Sequence, residues 1–184
     1  MAPKDDFLYG LIVGSVLQAT GLPVSQPAVL AEYPLNDYPS VAEAVSALAT
    51  DAVFSCPSRQ AVQSLSQYVP TYAYEFADRN APVIFPLPPL SFPLGAYHAS
   101  ELPSLFDSPT LGHAPLTPDQ EKLAAAMVSY WTTFADIANP GPPPWPAYTI
   151  ANDTFQSLVP PVPHPDAGFA AAHHCAFWDA NAGG

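Results

Sequence analysis

Apolar positions recur at three- and four-residue spacing in several stretches, and helix-start residues stand at the head of two of them. Residues 39–49, PSVAEAVSALA, bring Val41, Val45 and Leu48 to one face. Ser40 precedes them and Glu43 stands three positions on, the spacing of a capping box. Residues 51–68, DAVFSCPSRQAVQSLSQY, read as a second helical stretch, with Pro57 tolerated if the helix begins beside it. The strongest period runs from 118 to 138. Thr117 is its cap, Pro118 takes the first helical position and Gln120 closes the box. Leu123, Met127, Tyr130, Trp131 and Phe134 share its apolar face, and NPGPPPWP at 139–146 ends it. One stretch alternates instead: in PTYAYEF, residues 70–76, Tyr72, Tyr74 and Phe76 oppose Thr71, Ala73 and Glu75, which predicts a strand. Residues 7–17, FLYGLIVGSVL, read as a buried strand or a helix start. A signal peptide is the alternative, but Gly10 and Gly14 interrupt the apolar run and Asp5 and Asp6 replace the positive flank. The closing HHCAFWDANAGG is a short apolar element with a small-residue tail. This pattern holds one strand, or two if 7–13 counts. A stable sheet needs about three strands or a helix-covered face, so the deficit points to a missing piece.

Composition sharpens this. The chain has 184 residues, 49% of them hydrophobic, which is enough for one domain with a core. Its 25 prolines far exceed the roughly 5% of an average chain. They gather at 82–93, 140–146 and 160–165, which read as extended connectors. The net charge is -12, with only Lys4, Arg59, Arg79 and Lys122 basic. Such a surface repels phosphate backbones and anionic lipid, which excludes nucleic acid as a natural partner. No apolar run reaches the roughly 18 residues of a membrane span.

Candidate chemistry centres on residues 92–106, FPLGAYHASELPSLF. Imidazole is the side chain best suited to carry protons near neutral pH. A loop after a strand of an α/β sheet is where reactive groups are presented. Gly95 would let the backbone turn toward His98, and Glu101 would orient the loop. A partly exposed structural histidine is the competing reading. His173 and His174, beside Cys175, do not call for a metal: adjacent side chains diverge, and no second ligand pair stands at zinc spacing. No cofactor is expected. The aromatic stripe on 118–138 reads as core, and PGPPPWP as a connector rather than a docking motif.

GAYHASELPSLF resembles the histidine loop of the type-B carboxylesterase and lipase family, the group that includes the cholinesterases. TDAVFSCPSRQ resembles its Asp-x-x-Phe-x-Cys-Pro helix start, and TYAYEF its last central strand. LTPDQEKLAAAMVSYWTTFADIANP resembles its Tyr-Trp helix, and WPAY and CAFWDA its closing signatures. The resemblance covers roughly residues 30–180; residues 1–29 match weakly. It implies a fold class of α/β, with the whole chain, 1–184, a partial domain. This would be the C-terminal fragment of an α/β-hydrolase: the last strand or strands of the sheet plus packing helices. It implies a carboxylic ester hydrolase with a Ser–Glu/Asp–His triad, in which His98 is the base. Glu101 matches the supporting carboxylate near the loop, not the triad acid. The resemblance also implies a disulfide between Cys56 and Cys175, and hence a parent protein that is extracellular. Asn152, in NDT, is a glycosylation candidate consistent with that.

The remaining machinery is not in the sequence. No serine lies in a G-x-S-x-G elbow, and Ser15, in VGSVL, has only the preceding glycine. No HGGG-type oxyanion loop and no Gly-x-Asn-x-Asp-Glu-Gly acid stretch occurs; Asp5 and Asp6 are poor substitutes. In this family serine and acid precede histidine, so they are expected upstream of Met1. The partners implied are an ester substrate for the full-length parent and its missing N-terminal part. The chain alone is expected to be inactive. The alternative is a non-catalytic, cholinesterase-like interaction module. If the chain folds alone, the strand at 70–76 is expected to present an unpaired edge and the 118–138 stripe an apolar patch.

Overall fold

Residues 4–84, 90–106 and 114–181 are described by a computed structural model. They form two units, one of Met1–Ser64 with Gly168–Gly184, the other Leu65–Ala167.

The first unit is helical. Helix α1, Asp6–Thr20, starts where the Asp5 carboxylate accepts the Leu8 N–H (2.9 Å) and stops at Gly21, whose φ of 66° is the left-handed stop glycine adopts freely. Tyr9, Val13 and Leu17, four residues apart, are its buried face. The stretch 7–13 is therefore helix, not strand. Phe7, Leu8 and Leu11 are apolar but exposed, and they blur the helical period in the sequence. Helix α2, Gln26–Glu32, is capped by Ser25 and lies close to α1, with Gln26 Nε2 donating to the Gly10 carbonyl (2.7 Å). Helix α3, Val41–Thr50, is capped by Ser40 as expected. The return bond differs from a capping box: the Ser40 hydroxyl donates to Glu43 Oε2 (2.9 Å) instead of the Ser40 N–H doing so. The predicted 51–68 helix continues from α3 through a π turn, Asp51–Ser55, and becomes α4, Cys56–Leu65, with Pro57 just after that turn.

Two short helices complete this unit (Phe169–Ala172 and Cys175–Asn181, numbered α7 and α8 in chain order). Tyr33 lies at the centre and is fully buried. Its hydroxyl donates to Asp51 Oδ2 (2.9 Å) and accepts from Trp178 Nε1 (2.7 Å); its carbonyl accepts from the Tyr9 hydroxyl (2.7 Å). Burial, and then the Asp51 charge, raises the Tyr33 pKa far above that of a free phenol, so the donor persists at any physiological pH. The other Asp51 oxygen meets His173 Nδ1 (2.6 Å), and His174 Nδ1 meets Glu32 (2.7 Å). Each histidine ring is thus engaged by a carboxylate from a different helix, and no metal-holding cluster occurs among the described residues. Cys56 and Cys175 form a disulfide across 119 residues, and Arg59 pairs with Asp179 (2.9 Å) on the same side.

The second unit carries the sheet. Strands β1 (Tyr74–Phe76), β2 (Phe155–Leu158) and β3 (His164–Asp166) lie in the order β1-β2-β3; β1 and β2 are parallel, β2 and β3 antiparallel. Two of these strands escape the sequence pattern. β2 buries all four residues, Gln156 and Ser157 included, so nothing alternates; β3 is His-Pro-Asp, with no apolar residue. Residues 160–165 are therefore not only a connector: Pro165 sits in β3, the edge position where a missing N–H does no harm. The predicted strand at 70–76 is short as a ladder. Its extended course is longer, because Thr71 O accepts from Tyr148 N (2.7 Å), Ala73 O from Gln156 N (2.8 Å), and Ala77 N donates to Leu158 O (3.0 Å).

Helix α5 (Leu102–Leu105) packs against helix α6 (Pro118–Ile137). The Thr117–Gln120 capping box forms in full on α6, and Leu123, Met127 and Tyr130 are completely buried with Trp145 and Leu158. Trp131 is half-buried and Phe134 exposed, so the far end of the stripe remains uncovered among the described residues. No helix among the described residues is long and apolar enough to cross a membrane.

Reducing the Cys56–Cys175 bridge, or Cys175→Ser, should destabilise the first unit by about 4–5 kcal/mol, the loop-closure value for a ring of this size. Urea unfolding with and without reductant measures this; an unchanged midpoint would contradict it.

Candidate active site

The chain leaving β1 is fastened before it reaches His98. Asp78, buried just beyond the strand, accepts the Asn80 N–H (2.9 Å) on one oxygen and Gln120 Nε2 (2.7 Å) on the other. Gln120 also donates to the Asn80 carbonyl (3.0 Å), while its Oε1 accepts the Thr117 N–H (2.9 Å) as the return bond of the cap. One buried amide therefore starts α6 and holds the strand exit to it. The proline-dense crossing that follows falls partly at 85–89, outside the described residues.

The chain returns through Gly95, whose φ of 62° is the turn glycine was expected to supply. His98 then occupies a tight turn closed by Ser100 N–H to the Tyr97 carbonyl (3.0 Å), with Ala99 at φ 69°. A non-glycine residue there costs about 1–2 kcal/mol, so the surrounding contacts impose the conformation. His98 is exposed and Ser100 is buried. The Ser100 hydroxyl has no partner among the described residues.

Glu101 stands directly before α5, and its carbonyl accepts the Ser104 N–H (2.9 Å). Its charge is felt by Tyr74 on β1, whose pKa is raised by burial first and by Glu101 second. That strand is half-exposed. Beside it, Val69, Tyr72, Tyr74, Trp131, Phe134 and Trp145 line an apolar pocket of about 390 Å³. Trp145 of the PGPPPWP segment is buried and donates from Nε1 to the Ala73 carbonyl (3.1 Å), so that segment is an anchored connector.

Asn152 is exposed in the turn before β2, its N–H bonded to Thr149 Oγ1 (3.2 Å). Asp5 caps α1, and the Ser15 hydroxyl donates to the Leu11 carbonyl (2.9 Å) within that helix. Neither joins a nucleophile arrangement.

A family profile, the carboxylesterase family, matches residues 19–178. The chain belongs to the carboxylesterase family. Curated relatives agree. Human cocaine esterase is 31% identical over 133 residues, which is 70% of this chain and 22% of that protein. Acetylcholinesterase of Bungarus fasciatus is 29% identical over 148 residues, 74% of this chain and 23% of its own. Bovine bile salt-activated lipase is 29% identical over 120 residues, 60% and 19% respectively. Among solved structures, a thermophilic pNB esterase superposes with a TM-score of 0.61 at 26% identity, covering 81% of this chain and 30% of that one. The chain therefore spans about a fifth of the length of the curated relatives it matches. Its fold is part of the α/β-hydrolase fold.

Within this carboxylesterase portion, the sequence offers His98 and Glu101 as candidates but gives little sign of the buried Asp78. The only available sign was an acidic residue two positions after a strand. Its partner Gln120 lies 42 residues away and already had a role as a cap.

Gln120→Ala removes the cap's return bond and one donor to a buried carboxylate. The expected loss is about 2–3 kcal/mol of stability. Urea denaturation tests this, and a loss below about 0.5 kcal/mol would show that Asp78 does not depend on Gln120.

Proposed function

We propose that this chain is the C-terminal part of a carboxylic ester hydrolase and supplies the general base of a Ser–Glu/Asp–His triad through His98. The observation that carries the reading is the exposed turn. Gly95, His98, Glu101 and Leu102 fall in the Gly-x-x-His-x-x-Glu-Leu order, and the histidine is exposed in the turn that Ser100 N–H closes onto the Tyr97 carbonyl. In the proposed cycle a serine attacks the ester carbonyl while the imidazole takes its proton. The imidazolium then returns that proton to the leaving alkoxide. The serine, the triad acid and the amide donors for the oxyanion come from a part of the hydrolase preceding this chain. Glu101 supports the loop that carries the base.

The edge of the sheet supports the same reading. Thr71, Ala73 and Ala77 direct their backbone groups toward β2 and its preceding turn. The intervening Tyr74 and Phe76 therefore direct theirs to the opposite side. No strand pairs there among the described residues, and the apolar pocket opens beside it. A further strand and the helices that accompany it would satisfy both.

The substrate class is the carboxylic ester. The Cys56–Cys175 bridge favours folding in an oxidising compartment, and we assign the parent protein to the secreted esterases on that basis.

Two measurements test these proposals. The chain joined behind the nucleophile-bearing part of a carboxylesterase should hydrolyse a short-chain aryl ester, and His98→Ala should cut kcat by about 10⁴- to 10⁶-fold. Turnover by the chain alone, or turnover that survives His98→Ala, would refute the assignment. Sent through a eukaryotic secretory pathway, the chain should carry a glycan at Asn152 that Thr154→Ala abolishes. Mass spectrometry finding Asn152 unmodified in the secreted protein would refute that site.

A further inference from the structure

We infer that Tyr97 is a positioning residue for His98, acting through its hydroxyl; the inference rests on the reading of His98 as the base. The Tyr97 hydroxyl accepts the Ile84 N–H (2.9 Å) and donates to the Pro82 carbonyl (2.9 Å). Both partners are backbone groups of the strand exit, 13 and 15 residues back along the chain. One oxygen thus spans the two sides of the loop that separates β1 from the histidine turn. A tyrosine holds such a bridge at low entropic cost because only two side-chain torsions are fixed.

The bridge is placed where it governs the imidazole. Tyr97 is the first residue of the turn that Ser100 N–H closes, and Ser100 is buried at the other end. His98 and Ala99 are the two residues between these anchors, and Ala99 is held at a φ of 69° that an alanine does not choose unaided. Upstream, the segment bonded by Tyr97 follows directly on the Asp78–Asn80 turn, which Gln120 ties to α6. Hydrogen bonds therefore link helix, strand exit and histidine turn, with the Tyr97 hydroxyl as the link nearest the base. Tyr97 does not act on substrate. It fixes the direction in which His98 meets the serine, and misplacement of a catalytic group by about an ångström lowers the rate by up to about 100-fold.

Tyr97→Phe removes only the oxygen and tests this on two readouts. In the chain joined to a nucleophile-bearing part, kcat should fall about 10- to 100-fold with KM changed less than about twofold and the melting temperature little affected. A kcat equal to that of the parent would overturn the inference. In the unmodified full chain, hydrogen exchange should find the Ile84 amide protected, and Tyr97→Phe should release it. An Ile84 amide that exchanges freely in the unmodified chain would overturn the bridge itself, even if the variant failed to fold. A joined enzyme whose activity ignores His98→Ala would instead remove the underlying assignment of the base, with the Ile84 result still reporting on the bridge.

Discussion

The Ala73 carbonyl accepts two donors, the Gln156 N–H from β2 and the Trp145 indole N–H, and the second unit is organised around that point. The first bond sets the parallel register of β1 on β2. The second pins the connector after α6 against the same strand and seats Trp145 edge-on to Tyr74 and Tyr130. With β1 fixed, its carboxyl end is fixed too, and the Asp78–Gln120 bond carries that placement to the start of α6. The histidine turn inherits its position from these contacts. Its own helix, α5, is only four residues long and offers little independent rigidity.

The first unit solves a different problem. Its strongest constraints are long-range in sequence. The disulfide, the Asp51–His173 and Glu32–His174 contacts and the Trp178–Tyr33 bond all join the final short helices to segments more than a hundred residues earlier. Helices of four and seven residues do not persist by propensity. Here covalent closure and buried polar bonds hold them. Asp51 is buried, yet both its oxygens are satisfied, one by Tyr33 and one by His173. An unpaired carboxylate at that depth would be strongly destabilising.

Helices were legible in the sequence where caps and periodicity coincide. The Thr117–Gln120 box and the Leu123, Met127 and Tyr130 face of α6 follow from residue order alone, because the interactions are local. Strands were poorly legible. β2 hides two polar side chains and β3 consists of His-Pro-Asp, so what makes them strands is the neighbour each pairs with. Residues 7–13 stayed open between strand and helix start for a related reason: exposed Phe7, Leu8 and Leu11 make both faces apolar, and the Asp5 and Gly21 caps mark α1. At the candidate site, His98 stood out by its motif. The Asp78–Gln120 and Tyr97–Pro82 bonds did not, since a hydrogen bond between distant residues leaves no spacing to read.

At the centre of the proposal, β1 is an interior strand of a larger sheet whose other neighbour lies outside this chain. Amide hydrogen exchange at Tyr74 and Phe76 addresses it directly. These two amides should exchange rapidly in the chain by itself and become strongly protected when the preceding part is joined, while Ala77, bonded to Leu158, is protected in both. Equal protection of Tyr74 and Phe76 in the two proteins, whether high or low, would contradict the account.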